Sequence, residues 1–288
     1  MDKVYFNLEN ENGFYSVYFF LLSSYIYACK TNKILCIKDD KWKFLYKNGL
    51  DDYFLLDKKI LKYSSINNNN DNDNDNNNDN DKNIIFFCHS KEPNMLHTLH
   101  EYKLYSKELY TCNPDIIQNF NLPEKYNSIF IRGGDKLLYE ATQHPISHYV
   151  FFLLKLNIDT NNVFVHSDDN NLVESVEKYI TDNNINLKVY KITDKSNNGG
   201  AVVMKRLNYG DCKNIKSVDD MSNEEKKNHT VKMLNAIEIM RHSVNVILSY
   251  DSNVSRFIKL NFDCNVYSIN HSNNLDYNSP TKNPAYSF

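Results

Sequence analysis

The sequence predicts an α/β protein of two domains, each built on a sheet, and three observations predict it. From Ser128 to Ile269, short β-branched and apolar runs alternate with segments of helix length, the pattern of a parallel sheet covered on both faces. The 288 residues are enough for two compact domains that each bury a core. Charged residues also gather where strands should end: Arg132, Asp135 and Lys136 follow the run Ser128 to Ile131. Open α/β sheets bind their ligands at the carboxyl ends of the strands.

Taken in order, Asn12 and Gly13 open an apolar helix that includes Val17 to Ala28. The apolar run Phe14 to Cys29 is short for a membrane span. It contains Ser16, Ser23, Ser24 and several tyrosines, and acids precede it, so it reads as a buried helix. Lys33 to Ile37 is a strand, and Trp42, Phe44 and Tyr46 alternate as a second strand or as an aromatic patch. Residues 67–81, NNNNDNDNDNNNDND, hold no apolar side chain to offset their ordering entropy and are expected to be a disordered insertion. The Asp-Asn-Asp triplets there imitate a metal-binding D-x-D, but such a repeat supplies no fixed ligand geometry. Ile84 to Cys88 reads as a strand and Met95 to Phe120 as mostly helix.

In the second half, strand Ser128–Ile131 leads to helix Ile146–Leu156, strand Val163–His166 to helix Leu172–Ile180, and strand Leu187–Ile192 to a loop. Helix Lys226–Arg241 then leads to strand Val244–Ser249, and helix Val254–Leu260 to strand Val266–Ile269. The domains are expected at 1–121 and 122–275, with a tail at 276–288. The stretch Asp194 to Asn223, with Gly199-Gly200 and Tyr209-Gly210-Asp211, is long for a connection in a compact domain and suits a loop that closes over a substrate.

A net charge of −3 offers no basic stripe for a phosphate backbone, so nucleic acid is not an expected partner. The six cysteines show no C-x-x-C spacing, which argues against a zinc site or a disulfide framework. No G-x-G-x-x-G suggests a dehydrogenase. His97 with His100, and His144 with His148, have spacings a metal uses but lack a third ligand, and Pro145 suits the first turn of a helix.

Three blocks carry the candidate chemistry. In IFIRGGDKLLYEATQHPISHY, Arg132, Asp135 and Lys136 lie at a strand end with Glu140 within reach. VFVHSDD ends in Asp168 and Asp169, either of which suits a helix cap. VILSYDSNVSR places Ser252 and Asn253 at a helix start, where unpaired N–H groups and the dipole favour an anion.

The first block resembles the donor motif of the α1,6-fucosyltransferases, glycosyltransferase family 23, and their inverting relatives. There H-x-R-R-x-D-K is followed by E-A and H-P-I-x-x-Y, matched in register by Arg132, Asp135, Lys136, Glu140, Ala141, His144, Pro145, Ile146 and Tyr149. The second block is similar to the family's T-D-D strand end. In the third, Ser252, Asn253, Val254 and Arg256 match F-S-S-Q-V-C-R. The resemblance covers most of residues 12–270.

It implies a GT-B-like fold, two facing Rossmann-like domains with the active site in the cleft between them. It also implies an inverting transfer of fucose from GDP-fucose to a glycan hydroxyl, with no metal and no other cofactor. Arg132 would bind the diphosphate, aided by Ser252, Asn253 and the turn at Gly13. Glu140 would be the general base, Lys136 would orient it or bond the acceptor oxygen, and Asp135 would hold Arg132 and Lys136. Tyr149, Asp168 and Asp169 would be acceptor-side or structural. The expected partners are a nucleotide sugar and a glycan or glycoconjugate, with no transmembrane segment and a cytoplasmic location. Two departures fall on donor recognition. Phe130 replaces a family histidine, and no acid stands where the family reads guanine; Asn235 lies one residue away and Glu238 one turn further. Another nucleotide sugar, or a non-catalytic carbohydrate-binding relative, therefore stays open.

Overall fold

The computed structural model describes residues 3–8, 13–56, 60–62, 86–87, 97–133, 144–156, 159–197, 201–202, 216–249, 252–269 and 275–277. The Asn-rich stretch 67–81, residues 134–143 and most of 198–215 lie outside them. The chain falls into two compact units that divide between Asp115 and Ile116.

Unit 1 holds a four-stranded sheet in the order β3-β2-β1-β4, with β1 Lys3–Asn7, β2 Ile34–Lys38, β3 Ile60–Lys62 and β4 Phe86–Phe87, all paired in parallel. Helix α1, Phe14–Lys30, is apolar almost all round and correspondingly buried, as expected of a core helix. It packs on α2, Leu99–Leu109, through Tyr18 Oη to Ser106 Oγ at 2.7 Å and Ser23 Oγ to Tyr102 Oη at 2.8 Å. A capping box starts α2: Thr98 Oγ1 accepts from the Glu101 N–H and Glu101 accepts from the Thr98 N–H. Trp42 and Phe44 lie in turns rather than a strand. Their rings pack on Phe14 at 5.4 and 5.5 Å, so the alternation marked an aromatic cluster.

Unit 2 holds a six-stranded sheet in the order β12-β11-β10-β5-β6-β7. The strands are β5 Asn127–Ile131, β6 Asn162–Ser167, β7 Lys188–Tyr190, β10 Asn245–Ser249, β11 Asn265–Ile269 and β12 Leu275–Tyr277. All pairings are parallel except β11 with β12. Two short strands, β8 Ala201–Val202 and β9 Lys216–Ser217, pair separately. The crossover helices are α3 Ile146–Lys155, α4 Asn170–Asp182, α5 Asn223–Arg241 and α6 Asn253–Asn261.

Every residue of β5 and β10 is buried, the mark of a sheet covered on both faces. Ile129, Ile131, Val163, Val165 and Ile247 form one core with Tyr149, Val150 and Leu153 of α3 and Val173, Val176 and Ile180 of α4. Phe130, Phe164 and Leu248, which alternate with these, are equally buried, as are Leu234, Ile237 and Met240 of α5. At the amino rim, Asn245 Nδ2 donates to Asn127 Oδ1 at 2.8 Å and Asn265 Nδ2 donates to Asn245 Oδ1 at 3.2 Å. Asn235 of α5 ties the start of the unit to that helix. Its Oδ1 accepts from the Gln118 N–H at 2.7 Å, and its Nδ2 donates to the carbonyls of Ile116 at 2.9 Å and Val231 at 2.8 Å.

Candidate functional site

Three parallel strands of unit 2 end together, and side chains bond their ends to one another. β5 delivers Arg132, whose N–H donates to Ser249 Oγ of β10 at 3.0 Å; Tyr149 Oη of α3 bonds the same oxygen at 2.7 Å. The Gly133 N–H donates to Asp168 Oδ1 at 2.6 Å, and the Asp168 carboxylate also forms an ion pair with the Arg132 guanidinium. The side chains of that pair are 16% and 17% exposed, which leaves the guanidinium both fixed and reachable.

Gly133 is needed at this approach. A Cβ there would lie 2.8 Å from Asp169 Cβ and 3.0 Å from both Asp168 Oδ1 and Leu172 Cδ1. The two carboxylates therefore divide the work. Asp168 orders the strand end that carries Arg132, while Asp169 caps α4 by accepting from the Asn171 N–H at 3.0 Å.

After β10 the chain enters α6 with buried Ser252 as its N-cap, and Ser252 Oγ accepts from the Ser255 N–H at 3.2 Å. Asn253 Oδ1 accepts from Arg256 Nη1 at 2.9 Å. A helix start at the carboxyl edge of a parallel sheet presents N–H groups and a positive dipole end, which suit a phosphate.

A second group was not singled out in the sequence. His166, on β6 and in register with Phe130, is buried. Its ring stacks on Phe130 at 6.1 Å and on Phe164 at 6.4 Å, and its Nδ1 has no hydrogen-bond partner among the described residues. Burial, then the positive charges of His229 and Lys232, push its pKa down to about 3. Half-buried His229 of α5 is pushed down to about 4 by burial and by the charges of Lys232 and Arg132. Both imidazoles are therefore neutral at pH 7. Lys232 Nζ bonds Asn197 Oδ1 at 2.7 Å and Asp194 Oδ2 at 3.3 Å. The signal in the sequence was a histidine on the alternating apolar face of a strand, two residues before a carboxylate pair.

Asp135, Lys136 and Glu140 lie outside the described residues. Gly13 is the N-cap of α1 in unit 1, and its carbonyl accepts from the N–H groups of Ser16 and Val17 at 3.0 and 3.1 Å. Buried His144 sits edge-on to Tyr149 at 6.3 Å, with Pro145 capping α3. Glu238 pairs with Arg241 at 3.3 Å. Among the described residues, no three His, Cys, Asp or Glu side chains cluster as metal ligands, and no helix is long and apolar enough to cross a membrane.

The two-unit α/β chain, with a fixed arginine and a helix start at one sheet edge of unit 2, has counterparts in fold among solved structures. The NodZ α1,6-fucosyltransferase soaked with GDP-fucose superposes with a TM-score of 0.59 over 95% of this chain and 98% of its own, at 13% identity. The fucosyltransferase NodZ from Bradyrhizobium gives 0.58 over 96% and 99%, at 12% identity. POFUT1 in complex with GDP gives 0.56 over 90% and 94%, at 8% identity. The chain thus has the fold of these fucosyltransferases. No protein-family model and no curated protein sequence matches it.

Proposed function

We propose that the chain is an inverting glycosyltransferase that transfers fucose from GDP-fucose to a glycan hydroxyl, with unit 2 as the donor half. The observation that carries this reading is Arg132, held at the carboxyl end of β5 by Ser249 and Asp168, on the strand next to the one that leads into α6. That fold is shared with fucosyltransferases solved with GDP and GDP-fucose.

In the reaction the acceptor oxygen attacks C1 of the sugar while the bond from C1 to the β-phosphate oxygen breaks. The electron pair leaves with GDP, and the acceptor proton passes to a carboxylate, assigned on the sequence motif to Glu140. Arg132, with the N–H groups at Ser252 and Asn253, stabilises charge on the departing diphosphate, a contribution typically worth ~10²–10³ in kcat. The general base is worth ~10²–10⁴. Lys136 orients the base and Asp135 supports the two cations.

A second reading keeps the fold and changes the donor. Asn235 has both ends of its amide bonded to backbone groups and so is not positioned as a guanine reader, while Glu238 pairs with Arg241 through Oε2 and its buried Oε1 has no partner among the described residues. Calorimetric titration with GDP and with UDP separates the readings. The expected result is GDP binding that is lost in Arg132→Ala, together with fucosyl transfer that falls at least ~10²-fold in Glu140→Gln. Preference for UDP would replace the donor. Binding of neither nucleotide would leave a carbohydrate-binding relative without transfer.

A further inference from the structure

We propose that His166 is a specificity-determining residue that hydrogen-bonds the nucleobase of the donor. This rests on the reading of unit 2 as the donor half and identifies the part of the ligand that the strand ends beside Arg132 recognise.

Four observations converge. His166 lies at the carboxyl end of β6, in register with Phe130, and Arg132 follows two residues after Phe130. Its ring is fixed between Phe130 and Phe164, so it offers hydrogen bonds in a set direction. It is only 5% exposed and its Nδ1 has no partner among the described residues. A buried polar atom left unpaired is destabilising unless a ligand or water completes it. Thr193, three residues beyond β7 at the same end of the sheet, also carries a buried Oγ1 without a partner among the described residues.

The electrostatics favour a base over a phosphate for this position. Burial, reinforced by the charges of His229 and Lys232, keeps His166 neutral, and a neutral imidazole has one donor and one acceptor. That pair complements the edge of a heterocyclic base. Phosphate is better served by the Arg132 guanidinium and by the backbone N–H groups at the start of α6, which donate only. Phe130 completes the arrangement as a flat apolar neighbour to the imidazole.

The test is calorimetry with GDP, UDP and pyrophosphate on the wild type, His166→Phe and His166→Asn, with circular dichroism to confirm folding. His166→Phe, which keeps the stack, is expected to weaken GDP about tenfold and leave pyrophosphate unchanged. His166→Asn should recover part of the loss. An unchanged ratio of GDP to pyrophosphate affinity in His166→Phe overturns the proposal. If that variant fails to fold, ¹⁵N-histidine spectra of the wild type decide: GDP, but not pyrophosphate, should shift the His166 ring nitrogens, and no shift at saturating GDP overturns it. A wild type that binds UDP in place of GDP, with the same His166 dependence, upholds the role and changes the base. A wild type that binds no nucleotide overturns the donor reading and this inference with it.

Discussion

Replacing Gly133 by alanine places a methyl group 2.8 Å from Asp169 Cβ, an atom that cannot move away without its backbone, and 3.0 Å from Leu172 Cδ1. Overpacking of this kind costs about 1–3 kcal/mol. The variant should lose that much stability in urea unfolding, and the movement it forces on Asp168 should weaken GDP binding. A variant as stable as the wild type would show that the strand end gives way freely. The residue scale is also where the sequence said least about the site. Arg132 and the Asp168–Asp169 pair stood out because charge at the end of an apolar run is unusual. His166 did not, because a single histidine in VFVHSDD looks like the last residue of a strand. Only strand pairing and burial show that it faces the same way as Phe130 and has no partner for its Nδ1 among the described residues.

Removing the Ser252 cap by Ser252→Ala takes the acceptor from the Ser255 N–H at the start of α6, and lost caps cost about 0.5–2 kcal/mol. The expected result is a melting temperature a few degrees lower and weaker GDP binding in the same variant. A fall in stability with full nucleotide affinity would confine Ser252 to capping. Elements like α6 were legible because their polar starts and apolar faces repeat at helical spacing. The strands of unit 2 were legible because continuous runs such as Asn245–Ser249 have few other uses. Unit 1 was harder. β1, KVYFN, buries only alternate residues and went unrecognised, as did the three-residue strands Ile60–Lys62 and Leu275–Tyr277. Met95 to Phe120 read as mostly helix, yet α2 runs only from Leu99 to Leu109. The chain then crosses to an isolated bridge between Cys112 and Phe54, a tertiary contact that local periodicity does not report.

Across the whole molecule, acid should weaken unit 2 more than unit 1, since among the described residues unit 2 holds two strongly lowered histidines, His166 and His229, while unit 1 holds one that burial lowers, His97. The His166 pKa is lowered in the folded state, so between about pH 6.5 and 3 the unfolded chain binds a proton that the folded one does not. Stability from this group is complete above about 6.5 and falls as pH drops, by roughly 1.4 kcal/mol per pH unit at most. In unit 1, Glu101 is held down to about 2 by Lys30 and then by the Thr98 N–H. Its contribution is complete above about 4.5 and is lost only as pH falls toward 2. Hydrogen exchange at pH 7 and pH 5 should show protection falling most in β5, β6 and α5, and a uniform loss would contradict this. The asparagines at the amino rim add a different kind of coupling. Asn127, Asn245 and Asn265 form a directional row of amides in which each link has a donor side and an acceptor side, so it fits only one axial setting of the three strands. Arg132 and Ser249 leave two of those strands at the far rim, where their 3.0 Å bond requires the same setting. The row acts as a vernier: Asn245→Asp would turn its middle donor into an acceptor, and the misalignment would be read at Arg132, on the opposite side of the sheet from the change.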